Sequence, residues 1–195
     1  MNVFVIRHGE TEWSLNGRHT GMMDIPLTAN GRRLAQRLGP ALARNSFSVV
    51  LSSPMQRARE TCELAGLGSA CTIDQDLVEW DYGRYEGLTP SQIRETEPGW
   101  LIFRDGCPEG ETPAQIGARV DRVIARVRAA GGDVAIFAHG HILRVFVARW
   151  IGLPANGGQH FVLSTGTLSI LGYYHHIPAI RIWNAPLLDE KKGAA

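Results

Sequence analysis

Long apolar runs are missing from this sequence. Nowhere do about 18 uninterrupted apolar residues occur, so no membrane-spanning helix is expected, and the chain opens on a strand-like NVFVI rather than a basic stretch leading into an apolar leader. Cysteine is scarce as well. Cys62, Cys71 and Cys107 are odd in number, widely spaced and without a CxxC pair, which argues against a disulfide framework or a cysteine zinc site and for a reduced, cytoplasmic setting. Excess charge of either sign is also absent. With 20 Lys+Arg against 19 Asp+Glu the net charge is +1, so there is no broad basic face for nucleic acid, and any anion site must be built locally. For the same reason Trp80, Trp100, Trp150 and Trp183 read as packing residues rather than a base-stacking platform. No repeat, low-complexity tract or interdomain linker interrupts the 195 residues, which suit one core better than two.

What is present alternates between strand and helix. Val3 to Ile6, Val49 to Leu51 and Val134 to Ala138 are short β-branched, apolar runs of the kind that parallel strands need when both faces are covered. Helical stripes follow over 31–44 (Leu34, Leu38, Ala41, Leu42) and 114–129 (Ile116, Val120, Val123, Ile124, Val127). Three stretches, Ser53-Pro54-Met55-Gln56, Thr89-Pro90-Ser91-Gln92 and Thr112-Pro113-Ala114-Gln115, each offer a capping hydroxyl, a proline at the first helical position and a glutamine three residues after the cap. Thr167 to Tyr174 and Ala179 to Trp183 read as a hairpin joined by His175-His176-Ile177-Pro178. The pattern predicts an α/β layer fold in a single domain over 1–195, with an inserted loop and helical cap around 80–113 and a frayed tail over 189–195.

Chemistry is expected where the parallel strands end, since loops and helix N-termini converge there. The first strand is followed by Arg7-His8-Gly9, the second by Ser52-Ser53-Pro54 with Arg57 nearby, and the third by His139-Gly140. Two arginines cannot shed their charge at working pH, so bringing them together calls for an anion, and the guanidinium fork matches a phosphate-like oxyanion. Glycine after each histidine, Gly9 and Gly140, allows a sharp turn or a close approach to a ligand. His139-Gly140-His141 invites a metal, but no nearby carboxylate or cysteine completes a ligand set, so neither a metal nor another cofactor is expected.

Taken in order, Arg7-His8-Gly9-Glu10-Thr11, Ser52-Ser53-Pro54 with Arg57-Ala58 and Thr61, Glu79 within EWDYGRYEG, and His139-Gly140 resemble the histidine phosphatase superfamily, the phosphoglycerate-mutase-like proteins, over nearly the whole chain. The resemblance implies a three-layer α/β/α fold with a mostly parallel central sheet. It also implies that His8 becomes phosphorylated, that Arg7, Arg57 and His139 hold the phosphoryl oxygens, and that Glu79 is the proton donor. Thr20 and Gly21 fall in the family's substrate-side loop, where a hydroxyl and a backbone N–H would meet phosphate, while Tyr82 and Arg84 follow Glu79 and would orient the rest of the substrate.

The sequence departs from the mutase branch. Gly87-Leu88-Thr89-Pro90 stands where those mutases carry a lysine, no adjacent Arg-Arg occurs before His139, and the late motif continues with His141 rather than asparagine. EWDYGRYEGLTPSQI followed by RDGCPEGET resembles instead the branch of acid phosphatases and sugar bisphosphatases. Asp105 to Thr112 would then form a loop over the pocket, with Glu109 and Glu111 opposing a highly anionic substrate unless Arg84 or Arg104 pairs with them. The expected partner is a small-molecule phosphomonoester, with no nucleic acid and no membrane, and self-association into a homo-oligomer is left open.

Overall fold

A computed structural model describes residues 1–187, so the expected tail at 189–195 lies outside the described residues. Six strands form one sheet: β1 (Val3–Arg7), β2 (Phe47–Ser52), β3 (Cys71–Ile73), β4 (Asp133–Ala138), β5 (Leu168–Tyr174) and β6 (Ile177–Ala185), in the order β3-β2-β4-β1-β5-β6. The first four are parallel, while β5 runs antiparallel to β1 and β6 antiparallel to β5. The hairpin turn is tighter than expected, because β6 begins at Ile177 and His175 adopts a positive φ of 54°.

Among the described residues seven α-helices accompany the sheet: α1 (Glu12–Leu15), α2 (Ala29–Leu42), α3 (Gln56–Leu64), α4 (Pro90–Thr96), α5 (Ile102–Asp105), α6 (Pro113–Ala129) and α7 (Gly140–Trp150). The continuous apolar strands sort by alternation into two cores. Val3, Val5, Val134, Ile136 and Ala138 face Val120, Val123, Val127, Leu143 and Phe146 of α6 and α7. Phe4, Ile6, Ala135 and Phe137 face Leu38, Leu42 and Cys62 of α2 and α3. The result is the expected three-layer α/β/α arrangement. Among the described residues no helix is long and apolar enough to cross a membrane.

The two threonine starts form as expected: Thr89 and Thr112 each accept from the backbone N–H three residues on, and Gln92 and Gln115 return the bond. The serine start does not. The cap of α3 is Met55, with no side-chain cap, because the Ser53 hydroxyl is engaged by His139 and by the Met55 N–H. α2 begins two residues earlier than the stripe suggests, since Thr28 caps it through the Gly31 N–H.

In-register parallel pairing brings the functional strand ends together. Arg7 lies opposite Ala138 and Ser52 opposite Phe137, so His8, Ser53 and His139 leave the sheet side by side. Ladder bonds continue one residue past the strands, from the His8 N–H to Ala138 O at 3.0 Å and from the Ser53 N–H to Phe137 O at 2.9 Å.

Candidate active site

His8 is buried, and its Nδ1 lies 2.7 Å from Gly9 O, a contact only an N–H can make productively. The proton therefore sits on Nδ1 and the lone pair on Nε2. Burial, then Arg57 and Arg7, hold the imidazole well below its ordinary 6.5, with only the Gly9 bond opposing. It is a neutral base in a cationic setting. Gly9 itself meets protein rather than ligand: a Cβ there would come 2.4 Å from Gly31 O, where α2 crosses the loop. Glu10 fastens the same crossing, accepting from Thr28 Oγ1 at 2.6 Å and Asn30 Nδ2 at 3.0 Å.

Arg7 is half-buried at the end of β1. One guanidinium nitrogen bonds Leu163 O, and Nε has no partner, a buried cationic donor without an acceptor. Its plane rests against Gly140, where a Cβ would stand 3.3 Å from both Cζ and Nε. Arg57, fully buried, turns away from the cleft. Four of its five N–H groups go to His139 Nδ1 (3.0 Å), Met23 O (2.8 Å), Thr20 O (3.0 Å) and Gly21 O (2.9 Å). Because Arg57 donates to Nδ1, His139 carries its proton on Nε2 and gives it to Ser53 Oγ at 2.7 Å. Burial, then Arg57 and His8, keep that ring well below its ordinary value. His139 is thus a neutral ring with both nitrogens engaged, 5.2 Å centroid to centroid from His8.

Glu79 is 4 % exposed and does the work of a helix cap. Its Oε1 accepts from the Trp80 and Ile142 N–H groups and its Oε2 from the His141 N–H, all at 2.9 Å, covering the first turn of α7 that the side chain of His139 leaves uncapped. Oε1 carries two bonds and Oε2 one, so Oε2 retains the capacity for a proton.

Arg7, His8 and Glu79 border a cleft of about 210 Å³, with Thr20, Tyr82 and Gly140 among its other lining residues, while Arg57 and His139 are fully buried behind it. Of the expected substrate-side residues, Thr20, Tyr82 and Gly140 reach it. Gly21 does not offer its N–H, which donates to Glu86 Oε1 at 2.8 Å. Arg84 stands outside the cleft, 65 % exposed and 3.6 Å from Glu109, because the 3-10 turn Gly83–Tyr85 sends neighbouring side chains to opposite sides. Nor does Asp105 to Thr112 roof the cleft. That segment packs behind Glu79, with Glu111 ion-paired to Arg119 at 2.6 Å and Asp105 to Arg104 at 2.7 Å, so its acids are neutralised away from substrate. Larger surface depressions near Met1 and Arg181 (about 530 Å³) and near Tyr85 and Trp100 (about 460 Å³) gather no comparable set of converging catalytic groups.

Four further side chains able to bind an anion or a hydroxyl line the cleft, none of them an expected site residue: Arg18, His19, His141 and Arg144. His19 stacks on Tyr82 at 4.5 Å, its buried Nε2 lacks a partner, and burial draws it down to about 4. His141 Nδ1 meets the Tyr82 hydroxyl at 2.6 Å. Arg144 lies over Phe103 at 4.5 Å and bonds Gly158 O, and Arg18 bonds Gly87 O at 3.2 Å. His141 stands beside the His139-Gly140 pair in the sequence, and Arg144 follows Gly140 by four residues, one turn along α7 on the same face.

The model of the histidine phosphatase superfamily (branch 1) matches residues 3–186. The chain belongs to that family. It is therefore one of the histidine phosphatases, an enzyme family. An acid phosphatase of Mycobacterium tuberculosis is 40 % identical, over 92 % of this chain and 90 % of the relative, and a sedoheptulose 1,7-bisphosphatase of Saccharomyces cerevisiae is 38 % identical over 76 % and 67 %. Among solved structures, the product of a Mycobacterium tuberculosis open reading frame superposes with a TM-score of 0.90 at 39 % identity, covering 95 % of this chain and 97 % of that one. A mycobacterial glucosyl-3-phosphoglycerate phosphatase, solved with VO3, gives 0.83 at 26 % identity, covering 94 % and 98 %.

Proposed function

We propose that this histidine phosphatase hydrolyses phosphomonoesters, small sugar phosphates or similar, without a metal, through a phosphohistidine on His8. The observation that carries the reading is the pairing of a neutral His8, whose lone pair is directed to Nε2 by Gly9 O, with the unpartnered buried Nε of Arg7. His8 Nε2 forms a bond to phosphorus as the bond from phosphorus to the leaving oxygen breaks, and Glu79 gives that oxygen a proton from Oε2. Water then attacks the phosphohistidine, Glu79 takes a proton from it, and His8 returns with inorganic phosphate released. Arg7 and the Gly140 N–H at the start of α7 supply fixed positive charge around the equatorial oxygens, and Arg57 adds its charge from behind them. Arg57 further holds His139 and the 20–23 loop in place. Thr20, Tyr82 and His19 border the rest of the substrate.

A sugar bisphosphate is a second reading, favoured by Arg18 and Arg144, which border the same cleft and would meet another anionic group. The name of the yeast relative points the same way. A bisphosphate-primed phosphoglycerate mutase and a non-catalytic phosphate-binding module are the remaining alternatives, and one experiment separates all of them. Incubate the protein and His8→Ala with chelator and, separately, sugar monophosphates, sugar bisphosphates, 3-phosphoglycerate and an aryl phosphate, then follow inorganic phosphate, isomerised product and label on His8. Phosphate release with label on His8 is expected, and His8→Ala loses both. Release that survives in His8→Ala would refute the mechanism, isomerisation exceeding release would make the protein a mutase, and no turnover would leave the binding module.

A further inference from the structure

Arg119 lines no part of the cleft, yet its side chain is nearly buried and every one of its five N–H groups has an acceptor. Nε and one N–H of Nη2 form a fork on the Glu111 carboxylate, at 2.9 and 2.6 Å. Nη1 donates to Asp76 O at 2.8 Å and Val78 O at 2.6 Å, and the second N–H of Nη2 donates to the carbonyl of Glu79 itself at 3.2 Å. Glu111 takes hold of the other side of the loop. Its Oε2 accepts the Asp81 N–H at 3.0 Å, its N–H donates to Asp81 O at 2.9 Å, and its carbonyl accepts the Trp80 indole N–H at 2.9 Å. Backbone groups at 76, 78, 79 and 81 thus hang on two side chains. Those side chains are anchored in turn, because Arg119 sits within the 17-residue α6, whose neighbours Val120 and Val123 are fully buried.

The Glu79 carboxylate is aimed from the far end by the α7 amides, and its main chain is aimed by this pair. A donor must stand within hydrogen-bond reach of the leaving oxygen, and small displacements cost large factors in rate. We propose that Arg119 and Glu111 are positioning residues for proton transfer at Glu79, holding the 76–81 loop so that Oε2 stays in line with the leaving oxygen. The inference rests on Glu79 being the proton donor of the proposed reaction.

Such a role has a signature that general loosening of the fold lacks. An alkoxide departing from a sugar phosphate needs the proton, whereas a nitro-substituted phenolate departs without it. The test compares kcat/KM on a sugar phosphate and on a dinitrophenyl phosphate for the native chain, Arg119→Lys, Glu111→Gln and Glu79→Gln, with circular dichroism and a urea midpoint for each variant. Arg119→Lys keeps the charge and loses the fork, so its sugar-to-aryl ratio is expected to fall by about tenfold or more, part of the 10²–10⁴ that acid catalysis supplies. Glu111→Gln is expected to lower the ratio in the same direction, and the double variant to fall short of the product of the two single effects, as one network requires. An unchanged ratio in folded Arg119→Lys beside a lowered ratio in Glu79→Gln overturns the positioning role. If Arg119→Lys does not fold, Glu111→Gln decides by the same comparison. An unchanged ratio in Glu79→Gln locates the failure in the proton-donor reading, and the inference falls with it.

Discussion

At the scale of single residues, the site depends on protons being kept off histidines. In the proposed reaction His8 attacks as the neutral imidazole, and burial beside Arg57 and Arg7 depresses its affinity for a proton. The acid limb of kcat/KM is therefore expected below the ordinary histidine value of 6.5, and a half-maximal point at or above that value would contradict the assignment. Gly140 is the second single-residue lever. In Gly140→Ala the new methyl group stands 3.3 Å from Arg7 Cζ and Nε, so the guanidinium must shift by a few tenths of an ångström. kcat/KM is expected to drop by roughly tenfold while the urea midpoint stays close to that of the native chain, since positioning suffers before packing does. An unchanged kcat/KM would mean that Arg7 does not need its present place.

At the scale of elements, a structural duty and the proposed catalytic one overlap at the start of α7. Glu79 satisfies the Trp80, His141 and Ile142 N–H groups, so removing it uncaps a buried helix as well as deleting an acid. Glu79→Ala is expected to lose about 2 kcal/mol of stability, the range for a cap whose loss strands buried donors, and chemical denaturation would measure it. Thr112→Ala, which deletes the capping hydroxyl of α6 far from the chemistry, is expected to cost about 1 kcal/mol and to leave the sugar-to-aryl ratio unchanged. Elements also explain why some readings failed. The Ser53 motif resembles the two threonine caps, but its hydroxyl lies at a strand end beside His139, and that tertiary partner competes with the helix.

For the molecule as a whole, keeping four histidines neutral, three of them buried and His141 partly so, ties stability to pH. His8, His19, His139 and His141 all bind protons less readily folded than unfolded, through burial first and neighbouring cations second where these act. The unfolded chain thus takes up more protons on acidification. The contribution is complete above about pH 6.5 and drains away as pH falls from there toward the folded values, the share of His19 being spent by about 4. Each group adds at most about 1.4 kcal/mol per pH unit to the slope, so the urea midpoint is expected to fall steeply between pH 6.5 and 4.5. Vanadate or phosphate should oppose the loss, because an anion beside Arg7 stabilises only the native site. A flat profile would show that the rings are hydrated or paired in solution.

Local sequence determined the strands β1, β2 and β4, the helix α6 and the two threonine caps, because strand patterning and capping are decided within a few residues. It also placed Arg7, His8 and His139 at strand ends, since a parallel sheet gathers its carboxyl edges whatever else the chain does. Only the tertiary structure decided which groups meet. Arg57 spends its donors on His139 and three carbonyls, Arg84 faces solvent, and Arg144 and His19 enter the cleft from segments far apart in the chain. The physical reason is directional: residue type says what a guanidinium or imidazole can bond, but the acceptor it finds lies up to 156 residues away, on an element whose register no local pattern records.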